Sequence, residues 1–236
     1  MKKIFILILT IIWFAIPVIA EENIGLFDEI GVLIKKGKYR KAVNLIDKAK
    51  QNGTIPEKDK DKIEMLYYAM RYEISSRSFK AEHDKYNGSD SFYKRFPEFL
   101  SGLGGSVQIQ PKIILKNREI LGVLVIIKNN YRGNVYEPLK LMEIYSDGHT
   151  TNYKLEEISH TYIRHDREKT YYTNYKITLS EKEFIDFIIE MIGNDVSVRF
   201  SGGNLFEVRV GKFAKKFFED YIYAIPYIKS HDISNL

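Results

Sequence analysis

The chain has 236 residues, of which 44% are hydrophobic, 14% aromatic and 28% charged, a balance that excludes a wholly disordered protein and a collagen. Cysteine is absent, which excludes a disulfide-stapled miniprotein, a thiol nucleophile, a thiolate metal site and a lipid-modified cysteine behind a signal. The formal charge of +5 is spread along the chain rather than gathered into the basic face that nucleic acid requires, so no nucleic-acid partner is expected.

Lys2 and Lys3 precede an apolar stretch, Ile4 to Ile16, broken only by Thr10, and Pro17, Val18, Ile19 and Ala20 lead to Glu21 and Glu22. A basic start, an apolar core and small residues just before a cut are the parts of a secretory signal peptide. This places cleavage after Ala20 and the mature protein in the periplasm or secreted; loss of Lys2 and Lys3 lowers the formal charge from +5 only slightly. The alternative is an uncleaved helix over Ile4 to Ile19, near the lower length limit for a membrane span, and membrane contact is expected only in that case. The signal style and the richness in isoleucine, lysine, tyrosine and asparagine point to a bacterial chain.

From Ile24 to about Arg77 the apolar residues recur at helical spacing: Leu26, Ile30 and Leu33, then Ala42, Leu45, Ile46 and Ala49, then Ile63, Leu66, Tyr67 and Met70. Three helices are predicted over residues 23–77. Gly37 turns the chain between the first two, and Gly53 and Pro56 separate the second from the third. The segment Gly37, Tyr39, Ala42, Ile46, Ala49 resembles the second half of a tetratricopeptide repeat, with a match limited to residues 23–51. Glu29 and Ile30 depart from the leucine and glycine usual in that repeat, and no second copy follows. Since roughly three repeats make a concave solenoid, the resemblance implies a lone helical hairpin packed on its neighbour.

Residues 78–106 carry two turn-rich clusters, Asn87-Gly88-Ser89-Asp90 and Gly102 to Ser106, around Phe92, Tyr93, Phe96, Phe99 and Leu100. They read as a linker with one short helix. Lys94 and Arg95 beside these aromatics suggest anion or membrane contact, against the commoner expectation of a solvated helix face.

From Val107 the apolar period becomes two. Strands are predicted at Ile109–Leu115, Ile120–Lys128, Leu139–Tyr145, His149–Leu155, Ser159–Arg164 and Tyr171–Thr178, with Asp147-Gly148 as a two-residue hairpin turn. That turn sets Ser146 against His149 and Ile144 against Thr151. Ser180 and Glu183 form a capping-box pattern opening a helix over 181–192, with Phe184, Phe187, Ile188 and Met191 inward. Val196, Val198 and Phe200 then alternate towards Phe206, Val208 and Val210. A two-residue Gly202-Gly203 loop would set Val198 against Glu207 and mix the faces, whereas a five-residue loop over 201–205 pairs Val198 with Val208. Arg199 then stands opposite Glu207 and Ser197 opposite Arg209. Lys212 to Ile225 is predicted as a second amphipathic helix stopped by Pro226, with Phe213, Phe217, Tyr221 and Ile225 inward and Lys215, Lys216, Glu219 and Asp220 outward.

The fold class that follows is α+β: an N-terminal helical hairpin or three-helix unit (23–77), a linker (78–106), a β-rich domain (107–228) forming an antiparallel sheet or sandwich with two amphipathic helices near its C-terminus, and a tail (229–236). Catalytic patterns are wanting. No Gly-x-Ser-x-Gly elbow surrounds a serine, Gly102 to Ser106 lacks the lysine of a phosphate loop, and the Glu156-Glu157 pair reads as solvated. His160 and His165 point to opposite faces of a strand unless a bulge intervenes, so with Asp166 and His149 they read as exposed histidines rather than metal ligands. No cofactor or metal is expected.

Arg199 and Arg209, on one face of a hairpin, can grip a carboxylate or phosphate, although Glu207 between them favours a cross-strand ion pair. Tyrosines 131, 136, 145, 153, 162, 171, 172 and 175 decorate the β body, and such rings suit recognition surfaces. The expected function is an exported, non-catalytic binding or adaptor protein of a bacterial envelope, its binding residues Arg199, Arg209, Tyr162 and Tyr172, its partner another envelope protein or peptide. The alternatives are a periplasmic hydrolase or inhibitor-type domain using His149, His160 or His165, and an envelope component anchored by the uncleaved N-terminal helix. N-terminal sequencing of the protein recovered from fractionated cells should read from Glu21; retention of Met1 contradicts export by cleavage.

Overall fold

The computed structural model describes residues 25–102, 105–133, 135–165, 168–202 and 205–230. The signal segment, Asp166 and most of the 229–236 tail lie outside the described residues. The chain divides into two compact units, one ending at Ser76 and the other beginning at Arg77.

The first unit holds α1 (Leu26–Lys35), α2 (Tyr39–Gln51) and α3 (Lys60–Ser75), the last preceded by a single 3-10 turn at Glu57–Asp59. Gly37 takes a φ of 66° between α1 and α2, a conformation an L side chain resists. Ile30, Ile34, Ala42, Val43, Ile46, Ile63, Leu66 and Met70 form the buried core, one stripe from each helix.

The second unit is built on two antiparallel sheets. Its first three strands are β1 (Phe79–Asp84), β2 (Ser89–Lys94) and β3 (Glu98–Gly102). They occupy the segment expected to be a linker with a short helix. The aromatic spacing that suggested a helix comes from two separate strands and the bend between them: Phe92, Tyr93 and Leu100 are buried in the strands, whereas Phe99 of β3 and Phe96 of the bend stay exposed. Next come β4 (Gly105–Lys116), β5 (Glu119–Gly133), β6 (Leu139–Ser146), β7 (His149–Lys154), β8 (Glu156–His165) and β9 (Glu168–Leu179). The helix α4 (Glu181–Ile192), the hairpin β10 (Val196–Gly202) and β11 (Phe206–Arg209), and α5 (Lys212–Ser230) complete the unit. One sheet runs β1-β2-β4-β5-β9-β8 with β3 also on β4, and the other runs β11-β10-β6-β7.

Pro111 lies inside β4, where a missing N–H would ordinarily break a ladder. Along one edge β4 pairs with β3 through Gly105 to Ile109 and with β2 from Lys112 onward, so Pro111 falls in the step between these two partners. The step is filled by side chains: Gln110 Nε2 donates to the Lys94 carbonyl at 2.8 Å, and Tyr221 Oη of α5 donates to the Pro111 carbonyl at 2.8 Å. Tyr221 Oη also accepts from the Lys94 N–H at 3.1 Å, and Lys94 Nζ reaches Asp220 at 2.6 Å in a buried ion pair. Lys94 is thus not on a solvated helix face and Asp220 does not point outward; each satisfies the other inside the molecule. Burial lowers the Lys94 pKa, an effect opposed by Asp220.

The capping box at Ser180 and Glu183 opens α4, and Phe184, Phe187, Ile188 and Met191 are buried, as their spacing predicts. This helix contacts strands of both sheets (β5, β6, β9 and β10) and packs against α5. On α5 the stripe of Ala214, Phe217, Phe218, Tyr221, Ile225 and Ile228 is buried, whereas Phe213 is 86% exposed instead of inward. The helix does not stop at Pro226. Burial of Ile228 and a 3.0 Å ion pair from Lys229 to Glu181 hold the turn beyond it and outweigh the lost hydrogen bond.

Replacing Asp220 by alanine leaves a buried ammonium without its partner and should cost about 3–5 kcal/mol by urea unfolding. The double change Lys94→Met with Asp220→Leu should recover most of that loss. Equal destabilisation by both would contradict a paired charge as the source.

Candidate functional site

The outer face of the four-stranded sheet follows from its register. Val198 pairs with Val208 on one side and Ile144 on the other, as the five-residue loop requires, and all three are buried. Alternation then places two rows outward. One row is Arg209, Ser197, Tyr145, Thr150; the other is Glu207, Arg199, Glu143, Asn152. The short Ser197 lies between the long Arg209 and Tyr145. A depression of about 540 Å³ opens there, lined by Glu143, Tyr145, Thr150, Asp195, Ser197, Arg199, Glu207 and Arg209.

Charges in the depression are largely paired. Arg199 stands opposite Glu207 as expected, yet its ion pair is with Glu143 at 3.7 Å, on the neighbouring strand β6. Arg209 reaches Asp195 at 2.9 Å. Glu207 makes no ion pair among the described residues, so three carboxylates face two guanidiniums and the surplus is negative. The two arginines therefore do not present an open anion grip.

Asp147 positions the Asp195 end. With φ of 48° at Asp147 and 89° at Gly148, the β6–β7 turn has the left-handed pair that Asp-Gly favours, and Ser146 meets His149 while Ile144 meets Thr151. The Asp147 carboxylate accepts from the Asn194 N–H at 3.2 Å. Lys215 Nζ donates to the carbonyls of Gly193 and Asn194, closing the end of α4. Beneath the sheet, Thr151 Oγ1 and Tyr153 Oη donate to the two oxygens of Glu190 at 2.6 and 2.9 Å, which ties β7 to α4.

Tyr162 and Tyr172 lie on the other sheet and do not share this depression. Thr161 pairs with Tyr172 and Tyr162 with Tyr171, so the two proposed binding tyrosines point to opposite faces. Tyr162 is half-exposed, with its ring 5.9 Å from that of Tyr171 and the Lys169 ammonium 4.6 Å above it. Tyr172 is partly buried on the far side.

A second cluster surrounds His160. The β8 register shifts between Glu157 and Ser159, so Ile158 is the extra residue of a bulge and Glu157 and His160 share one face despite their odd spacing. His160 Nδ1 lies 2.7 Å from Glu157, whose other oxygen accepts from Tyr136 Oη, and the Tyr136 ring stacks on His160 at 4.5 Å. Burial and the Glu157 carboxylate raise the Tyr136 pKa, and the same causes, with Glu190 as the carboxylate, raise that of Tyr153. Under them, Asn129 Nδ2 and Thr173 Oγ1, paired across β5 and β9, are buried and make no hydrogen bond. Among the described residues no three histidine, aspartate or glutamate side chains are grouped to hold a metal, and no helix is long and apolar enough to cross a membrane.

Comparison of the chain with family profiles, with curated proteins and with solved structures gives no match.

Sequence reasoning missed Glu143, Thr150 and Asp195. The hairpin register already placed Tyr145 beside Thr150; what it lacked was the pairing of β6 with β10, strands separated by β7, β8, β9 and α4.

Tyr136, Tyr153 and Tyr221 all have raised pKa values, so each stays protonated in the fold when an unfolded tyrosine ionises near about 10. A raised folded value gives stability that is whole below the unfolded pKa and is lost as pH rises above it. Lys94 pushes the opposite way over that range, as one group against three. The urea midpoint should hold to about pH 9 and fall beyond about pH 10; a midpoint flat to pH 11 contradicts the buried hydroxyls.

Proposed function

We propose that the chain is an exported, non-catalytic binding or adaptor protein of a bacterial cell envelope, and that its ligand is a segment of another envelope protein or peptide presenting lysine or arginine. The export half of this reading rests on the signal pattern of residues 1–20. The recognition half rests on one observation: the depression over Ser197 holds Arg199 and Arg209 already matched by Glu143 and Asp195, with the Glu207 carboxylate in surplus. An arriving ammonium or guanidinium meets Glu207 and exchanges into the existing pairs, while the half-exposed Tyr145 offers a ring face to the cation and its alkyl stem. The pre-ordered arginines act as positioning groups, because they hold Glu143 and Asp195 in place and can donate to the ligand's own backbone carbonyls. The helical unit, which resembles half of a tetratricopeptide repeat, adds a second surface for adaptor work.

The alternative of a periplasmic hydrolase or inhibitor-type domain draws on the Glu157–His160 pair, in which a carboxylate orients an imidazole as in general-base arrangements. No serine or threonine nucleophile is bonded to that imidazole among the described residues, so binding is the better-supported reading.

Titration of the ¹⁵N-labelled mature protein with an acetylated lysine-containing pentapeptide should shift the amides of Ser197, Arg199 and Glu207. Glu207→Gln should weaken that binding by roughly tenfold, about 1.4 kcal/mol. Preference for a glutamate-containing peptide, or shifts confined to the face of β8, would contradict the assignment.

A further inference from the structure

The strand β8 ends its sheet: it pairs with β9 on one side, and its other edge carries no backbone hydrogen bond among the described residues. It spans ten residues, Glu156 to Arg164 are all exposed, and Ile158, Tyr162 and Ile163 each show about half their surface. Natural proteins blunt such an edge with charges, proline, a bulge or a covering segment, because its row of unpaired N–H and C=O groups templates another strand. The sequence of β8, Glu-Glu-Ile-Ser-His-Thr-Tyr-Ile-Arg-His, contains neither lysine nor proline, and its bulge at Ile158 leaves Ser159 to His165 in regular register.

The edge is also polar in one direction. Its first end carries Glu156 and Glu157 and its last end carries Arg164. A parallel neighbour of the same kind would set like charges side by side, whereas an antiparallel one brings acid to base. In an antiparallel extension of one sheet, residues directly opposite must share a face, which restricts a symmetric pair to a two-fold axis passing through a residue. Three such axes fit the middle of β8. An axis at His160 sets Glu157 near Tyr162 of the second copy, and an axis at Tyr162 sets His160 against Arg164 of the second copy. An axis at Thr161 sets His160 against Tyr162 and Ser159 against Ile163. Because Ile158 is the extra residue of the bulge, that same axis brings Glu157 opposite Arg164 of the second copy, on the face both occupy. The contact is isologous, so each ion pair, aromatic pair and apolar contact occurs twice.

We propose that β8 pairs antiparallel with β8 of a second copy of this chain about a two-fold axis at Thr161, making a homodimer with one continuous sheet across the interface. The charge pattern selects this occupant and this register. Glu157 already accepts from Tyr136 and lies on His160, so its carboxylate is held at the edge before association, and the dimer costs little in side-chain ordering. The depression over Ser197 lies on the other sheet, so pairing through β8 adds a function to the binding reading without relying on it.

Sedimentation of the mature protein across a concentration series tests the pairing, with amide exchange of β8 measured on the same samples. A dimer whose β8 amides gain protection on association is expected. Arg164→Glu should weaken it by roughly tenfold or more while leaving the monomer folded by circular dichroism. Since Glu157→Lys can disturb Tyr136, the exchange variant Glu157→Lys with Arg164→Glu is read against Arg164→Glu alone, and it should restore the dimer. A monomer at every concentration overturns the proposal. So does a dimer indifferent to Arg164→Glu, and so does a monomer that extends β8 only with a strand of a different protein.

Discussion

The burial of Val198 between Ile144 and Val208 is the constraint from which the candidate site follows. Side chains on a strand alternate, so fixing these three inward leaves no freedom for their neighbours: Glu143, Arg199 and Glu207 must stand in one outward row, and Tyr145, Ser197 and Arg209 in the next. A slip of one residue would bury two arginines and two glutamates and expose the valines, an exchange that the cost of an uncompensated buried charge forbids. The depression is thus a consequence of packing on the opposite face. Its floor is low because Ser197 is short, and its sign is negative because one more carboxylate than guanidinium falls outward.

The inner side of that sheet needs a partner, and α4 supplies it. Its stripe of Phe184, Phe187, Ile188 and Met191 meets strands of both sheets, while α5 is fastened by polar contacts where β4 changes neighbours. There the backbone pattern is interrupted by Pro111, and the Tyr221 hydroxyl, the Gln110 amide and the Lys94–Asp220 pair complete the bonding that the ladder omits. A charged pair in this position is less an energetic asset than a specification. It fixes the rotation and the height of α5 against β2.

Local chemistry was readable from the residues. The Asp147-Gly148 turn, the capping box at Ser180, the limits of α4 and the register of β10 on β11 are all set by neighbours a few positions apart, and each stands as expected. The α+β class followed from the change of apolar period near Val107. The failures share a different cause. Residues 78–106 resemble a linker in sequence because β1, β2 and β3 are short and separated by turn residues, and what stabilises them is the pairing of β1 with β2, of β2 and β3 with β4, and packing against α5. Local sequence places Asp220 and Lys94 outside because charges usually are; only the tertiary contact between them makes burial tolerable. Pro226 predicts a helix end from sequence, and the burial of Ile228 carries the helix past it. On the site itself, Arg199 and Arg209 were found in one place, but their partners Glu143 and Asp195 arrive from β6 and from the end of α4. Tyr162 and Tyr172 were grouped by residue type, and the register sets them on opposite faces of another sheet.

In this chain a polar depression lies on the side of the four-stranded sheet that the core does not use, and the other sheet keeps an open, charge-polarised edge. Both features depend on register rather than on any catalytic grouping. The most direct test is the set of nuclear Overhauser contacts among methyl groups in protein labelled at valine and isoleucine. Val198 should show cross-peaks to both Ile144 and Val208. The absence of the contact from Val198 to Ile144, or of the one to Val208, would contradict the register and with it the composition of the depression.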